Sequence, residues 1–239
     1  MAEIGSNWEG SIVKAKKIIH ECKKAGANAV KFQMWRANDL YSKDHPNWKE
    51  IEKSELTFKK ILILKKYADK EKIEFFCSAF YPEAVQFLES IKVKRYKVAS
   101  RTCLLKDPYS LETLKIKAKT KKPIIISMGM GGDRKMISHL FQKNKKLFCY
   151  CISEYPLKIN KINWKNAVKF DGFSDHTLGI TAAIIFTTLK KSKNSKFIFI
   201  EKHVKLKNSK GPDSDSSITV NELGTLVSHV RIIEKTKLN

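Results

Sequence analysis

Proline and glycine are scarce, 6 and 10 in 239 residues, and they build no Gly/Ser linker or low-complexity tract. No linker or low-complexity break is therefore expected, and residues 1–239 read as one domain. Arginine is scarcer still, supplying five of the 47 basic residues. Nucleic-acid surfaces concentrate charge and favour the planar arginine fork. Here lysines are spread over almost every polar stretch, so the formal charge of +23 does not predict a nucleic-acid binder. It reads as a compositional habit of the source, with attraction of small anionic substrates as the functional alternative. The five cysteines, Cys22, Cys77, Cys103, Cys149 and Cys151, form no CxxC pair and no spaced framework. Reduced thiols packed as small core residues are expected. No apolar run approaches a membrane span. "MAEIGSNWEG" has neither the charged start nor the apolar core of a signal peptide. A cytoplasmic protein without a membrane partner is the expectation.

What is present is an alternation. Short apolar runs occur at 2–5, 29–33, 73–80, 96–100, 123–129, 147–153, 170–175 and 197–203. Segments with helical spacing lie between them, such as "SIVKAKKIIHECKKAG" and "TVNELGTLVSHVRIIEK". Only the gap after the sixth run has a weak helix, near 162–168. Eight strand–helix units predict parallel pairing, because near-continuous apolar strands suit a sheet covered by helices. Eight in about 250 residues is the count of a TIM (β/α)8 barrel. A doubly wound open sheet is the alternative.

In a barrel the chemistry sits where strands end. Polar residues stand there repeatedly: Glu3, Lys31, Gln33, Ser78, Lys97, Ser100, Ser127, Ser153, Tyr155, Ser174, Asp175, His176, Glu201 and His203. Burying such groups costs free energy unless they pair with each other or with a ligand. His176 and His203 close neighbouring strands, and two neutral imidazoles there could bind a divalent metal. Asp175 and Glu201 could be further ligands or could orient the imidazoles. Lys31 and Lys97 lie inside apolar runs. They are either solvated edge residues or buried ammonium groups that want an anion, with the nearby serines as donors. "NSKGPDSDSS" (208–217), which contains Asp213, is either an ordinary turn or a loop over the barrel mouth.

Several of these residues sit in motifs. "AEIGSNWEG", "AVKFQ", "YKVAS", "SMGM", "SEYP", "FSDHTLGI", "EKH" and "GPD" occur in the order seen in the N-acetylneuraminate (sialic acid) synthase family, which includes legionaminate and pseudaminate synthases. The chain resembles that family from residue 2 to about residue 223. The resemblance implies a TIM-barrel transferase that condenses phosphoenolpyruvate with an N-acetylated mannosamine-type sugar and releases phosphate. It implies a divalent metal on His176 and His203, manganese first, with magnesium and cobalt as alternatives. Lys31, Ser78, Lys97, Ser100, Ser127, Ser153 and Ser174 would hold phosphoenolpyruvate. Glu3, Gln33, Tyr155 and Asp213 would face the amino sugar, with Glu3 handling protons. A homodimer is part of the same expectation.

The sequence also departs from the family. Trp8 stands where histidine is usual, Arg101 and Thr102 replace a glycine and an acid near the sugar, and Met128 replaces threonine. The small C-terminal antifreeze-like domain of the family is not expected within 1–239. These departures keep two other readings open. One is a related lyase or synthase on another aldehyde, or a partner-dependent barrel. The other is a non-catalytic ligand-binding barrel.

Overall fold

A computed structural model describes residues 1–195 and 199–237. The chain runs β1 (Ala2–Glu3), α1 (Ile12–Lys24), β2 (Ala29–Met34), α2 (Ala37–Leu40), α3 (Trp48–Lys53), α4 (Phe58–Lys70), β3 (Glu74–Ala79), α5 (Pro82–Ser90) and β4 (Tyr96–Val98). It continues α6 (Ser110–Lys119), β5 (Ile124–Ser127), α7 (Arg134–Leu140), β6 (Lys146–Cys151), α8 (Trp164–Ala167), β7 (Gly172–Asp175), α9 (Thr181–Ser192), β8 (Phe199–Lys205), β9 (Ile218–Thr219) and α10 (Val220–Lys235). Strands β1 to β8 pair in sequence order, all parallel, and β1 closes on β8 through Ala2↔Lys202 and Glu3↔His203. The eight-stranded barrel read from the sequence is therefore present, and β9 extends β8 outside it.

The helices form where the sequence supplies a stripe and a stop. In α1, the Ser11 hydroxyl accepts the Lys14 amide at the first turn, and Ala15, Ile18, Ile19 and Cys22 face the barrel. Gly26 follows at φ +82°, a left-handed turn that glycine adopts without a Cβ penalty. In α10, Thr219 and Glu222 form a reciprocal capping box, which fixes where the last helix leaves the barrel wall.

The apolar runs overshoot the strands they mark. Ser100 lies past β4, at the start of a single 3-10 turn (Arg101–Leu104), and Ser153 lies past β6. The weak segment after β6 is a 3-10 turn (Ile159–Lys161) followed by the one-turn α8. The last run begins at 197 and 198, which lie outside the described residues. The short helices α2 and α3 are an excursion that the periodicity did not indicate. They carry a satellite apolar cluster of Trp35, Ala37, Leu40, Ile51 and Phe80 beside the mouth.

Strand parity corrects one expectation. Successive side chains point to opposite faces, and Ser174 and Glu201 face the barrel axis, so Asp175 and Lys202 face the helices. Asp175 accepts from Lys202 Nζ at 3.0 Å and from the Thr177 amide at 2.8 Å. Both charged side chains are buried, at 0% and 1% exposure. Asp175 is thus neither a metal ligand nor a support for an imidazole. It pins β7 to β8. Removing one partner of a buried pair costs about 3–5 kcal/mol. Lys202→Met should lower the melting temperature by roughly 6–20 °C, with much of the loss recovered in the Lys202→Met/Asp175→Leu double variant. An unchanged melting curve for Lys202→Met would show that the pair contributes nothing.

Candidate active site

Side chains facing the barrel axis form layers. At the N-terminal ends of the strands, Ala29, Phe76, Ile125 and Cys149 close the barrel with an apolar plug. Above that plug the axis turns ionic. Lys31 and Lys97 are 2% and 3% exposed, and Glu3 and Glu201 are 0% and 3% exposed. The two lysines are therefore buried ammonium groups and not solvated edge residues.

Their charges are matched in place. Lys31 pairs with Glu3, lies 3.6 Å from Glu201 and donates to the Ser78 hydroxyl at 3.2 Å. Lys97 donates to the Ser127 hydroxyl at 2.8 Å and lies 3.3 Å from Glu201. The Ser174 hydroxyl donates to Glu201 at 2.7 Å. Burial opposes the Glu201 charge, but Lys31, Lys97 and the Ser174 hydroxyl hold its carboxyl well below the usual carboxylate range. Burial pulls Lys31 down to about 8 against the attraction of Glu201. Burial also opposes the Lys97 charge, but Glu201 leads the interactions that raise it above its ordinary value. Glu201 is thus the shared counter-ion of both lysines, and its hydrogen-bonded link toward the imidazoles runs through Ser174, whose Oγ is 3.4 Å from His176 Nε2.

A mouth cavity of about 430 Å³ opens above this layer. Glu3, Lys31, Gln33, Lys97, Ser100, Ser127, Ser153, Tyr155, Ser174, His176, His203 and Asp213 all line it, so twelve of the thirteen residues that the family resemblance assigns converge there. The exception is Ser78, which is 1% exposed and lies beneath the cavity holding Lys31. Leu40, Tyr41 and Phe80 line one side, which gives the ionic floor an apolar flank.

His176 Nδ1 lies 2.7 Å from the Ile152 carbonyl, which can only accept, so this nitrogen carries the proton and Nε2 keeps its lone pair. Burial, followed by repulsion from His203, lowers the His176 pKa to about 3. Burial also lowers that of His203, against the attraction of Asp213. Both rings are neutral near pH 7. Their centroids are 5.7 Å apart, and the Tyr155 ring sits 4.2 Å from that of His176. His203 Nδ1 is buried without a hydrogen-bond partner among the described residues. Two neutral imidazoles with open ring nitrogens fit two positions of a divalent cation, with water and substrate oxygens completing the shell. Among the described residues no three His, Cys, Asp or Glu side chains form a cation cage by themselves.

The 208–217 segment is more than a turn. Asp213 accepts from the Ser6 amide at 2.7 Å and the Ser6 hydroxyl at 2.6 Å. Ser209 Oγ donates to the Asn7 carbonyl at 3.3 Å, and Lys205 Nζ to the Ser214 carbonyl at 2.7 Å. These bonds hold the loop over the mouth. Gly5 permits the approach, since a Cβ there would lie 2.3 Å from Asp213 Oδ2.

The departures divide. Arg101 lines the cavity, with Nε on Asp107 at 2.7 Å and Nη2 on the Leu40 carbonyl at 2.7 Å. Thr102 is 1% exposed and does not line the cavity, so the position expected near the sugar faces the packed layer instead. Trp8 is fully buried, with Lys60 Nζ 5.0 Å from its ring centroid, and is also off the cavity wall. A second cavity of about 410 Å³ lies at the N-terminal ends of the strands. Charged groups on its wall pair off, Arg95 with Glu74 and Arg231 with Glu234, so it lacks the converging ionisable set of the mouth.

The sequence matches the NeuB family over residues 18–238. An uncharacterised protein of Methanocaldococcus jannaschii is 34% identical over 98% of this chain and 70% of its own length. The N,N'-diacetyllegionaminic acid synthase of Campylobacter jejuni is 32% identical over 98% of this chain and 76% of its own. The crystal structure of N-acetylneuraminic acid (sialic acid) synthetase from Leptospira borgpetersenii superposes with a TM-score of 0.86 at 26% identity, covering 100% of this chain and 85% of that one. With the match covering most of the chain, this protein belongs to the NeuB family, a family of sialic-acid-type synthases.

Proposed function

We propose that the barrel condenses phosphoenolpyruvate with the open-chain form of an N-acetylated mannosamine-type sugar to give a nine-carbon 2-keto acid and inorganic phosphate. The observation that supports this most is the pair of buried lysines, with their serines, set beside two neutral histidines in one cavity. Lys31, Lys97, Ser100, Ser127, Ser153 and Ser174 would hold the phosphate and carboxylate. Gln33, Tyr155 and Asp213 would face the sugar. C3 of the enol attacks the aldehyde carbon, a carbon–carbon bond forms, and the aldehyde oxygen takes a proton. Water adds to C2, and the C2–O bond to phosphate breaks to leave the ketone, so one water is consumed per phosphate. Glu3 is an ion-paired carboxylate on the cavity wall and suits the base that takes the proton from that water. A divalent cation on His176 and His203 would polarise the aldehyde carbonyl and orient water.

The test is phosphate release from phosphoenolpyruvate across a panel of N-acetylated hexoses, with chelated and manganese-reloaded protein. Release should require both an acceptor and the metal. His203→Ala should abolish it while the barrel stays folded, because the residue sits at the mouth and not in the apolar plug. Release at the untreated rate after chelation would contradict the metal assignment.

A further inference from the structure

Helix α6 carries an unusual lysine. Lys117 is fully buried on a helix whose other lysines belong to the solvated face. It forms no ion pair with a carboxylate among the described residues. Its Nζ donates to the Ala79 carbonyl at 2.6 Å and the Lys97 carbonyl at 3.3 Å. Four residues earlier, on the same face, the buried Thr113 hydroxyl donates to the Phe80 carbonyl at 3.3 Å. An ammonium group buried without a counter-ion is costly, whereas methionine would fill the same space with no polar group to satisfy. Packing alone therefore does not account for a lysine here.

The seam these side chains cross explains their use. Strand β4 has three residues, and its ladder to β3 has a single residue pair, Ser78↔Lys97. The ladder between β2 and β3 has six. The short seam carries Lys97 and the serine that holds Lys31. Lys117 bonds to a carbonyl on each side of it, one residue past Ser78 on β3 and at Lys97 itself on β4.

Building on the reading of Lys31 and Lys97 as a phosphoenolpyruvate cradle, we infer that Lys117, assisted by Thr113, is a positioning residue that locks the ends of β3 and β4 and so aims the Lys97 ammonium at the bound anion. Burial lowers the Lys117 pKa to about 7, with the thiol of Cys103 opposing and the charges of Lys97 and Lys31 adding to the effect. The neutral amine keeps two N–H donors for the two carbonyls, so the clamp holds in either protonation state.

The experiment is calorimetric titration of phosphoenolpyruvate into the full chain with manganese present, alongside steady-state kinetics for the acceptor. Lys117→Met should weaken phosphoenolpyruvate binding at least tenfold and leave the acceptor KM within about twofold. Lys117→Gln, which keeps an N–H donor on a shorter arm, should recover part of the loss. Thr113→Val should give a smaller loss in the same direction, and it decides the matter with Lys117→Gln if Lys117→Met does not fold. Unchanged phosphoenolpyruvate affinity in the folded variants overturns the positioning role alone. A uniform loss for both substrates also overturns it, since that is the mark of general loosening. Absence of phosphoenolpyruvate binding to the unsubstituted chain overturns the functional reading on which the inference rests, and the inference with it.

Discussion

Lys97→Met should weaken phosphoenolpyruvate binding by roughly thirty- to several-thousand-fold, from the 2–5 kcal/mol that truncating one partner of a buried charge pair costs. Lys97 is the ammonium held between the Ser127 hydroxyl and Glu201, 3% exposed at the floor of the mouth cavity. Its loss leaves Glu201 with Lys31 alone at 3.6 Å, so the floor becomes more negative where an anion must bind. The control is Lys59→Met on the exposed face of α4. The whole chain carries a formal +23, and if that field did the binding, the two substitutions would have similar effects. Equal losses from Lys97→Met and Lys59→Met, read by calorimetry at fixed salt, would remove the cradle from the account.

Glu3→Gln should lower turnover by about 10²–10⁴-fold, the usual contribution of a positioned acid–base group, with little loss of phosphoenolpyruvate affinity. Glutamine is nearly isosteric and can keep the bond that Glu3 Oε1 accepts from the Gly5 amide at 2.8 Å. It cannot take a proton from water. It also removes a negative charge from beside Lys31, so an anionic substrate gains no new repulsion. Single-turnover measurements separate the two effects. A variant that turns over at the unsubstituted rate would remove Glu3 from the chemistry.

The barrel was legible because each buried parallel strand is a short apolar run, and eight of them alternate with helical stripes. The site was legible at strand ends, where Lys31, Lys97, His176 and His203 break otherwise apolar runs. Where the reading failed, facing and depth were the reasons. Ser174, Asp175 and His176 are consecutive, and a period of two sends Asp175 outward to Lys202. Ser78 stands in register with the cavity residues Gln33 and Lys97, but its short side chain is covered by the Lys31 ammonium and does not reach the cavity. Thr102 lies in a 3-10 turn, where strand parity gives no guide to facing. Glu201 was visible beside His203, but its role as counter-ion joins three strands that are far apart in the chain, and local spacing carries no trace of that. Lys117 looks like its neighbours in "LKIKAKTKK", so its burial is unreadable in a sequence this rich in lysine.

The most direct test of the central claim is a mass balance in one incubation. The full chain, manganese and an N-acetylated mannosamine-type sugar are mixed with phosphoenolpyruvate or, separately, with pyruvate. Phosphate and nine-carbon 2-keto acid are then counted in each. The account predicts one phosphate per keto acid from phosphoenolpyruvate and no product from pyruvate. Keto acid formed from pyruvate would make the barrel an aldol-type lyase, and phosphate released without keto acid would make the cavity a site of hydrolysis; either result would contradict the account.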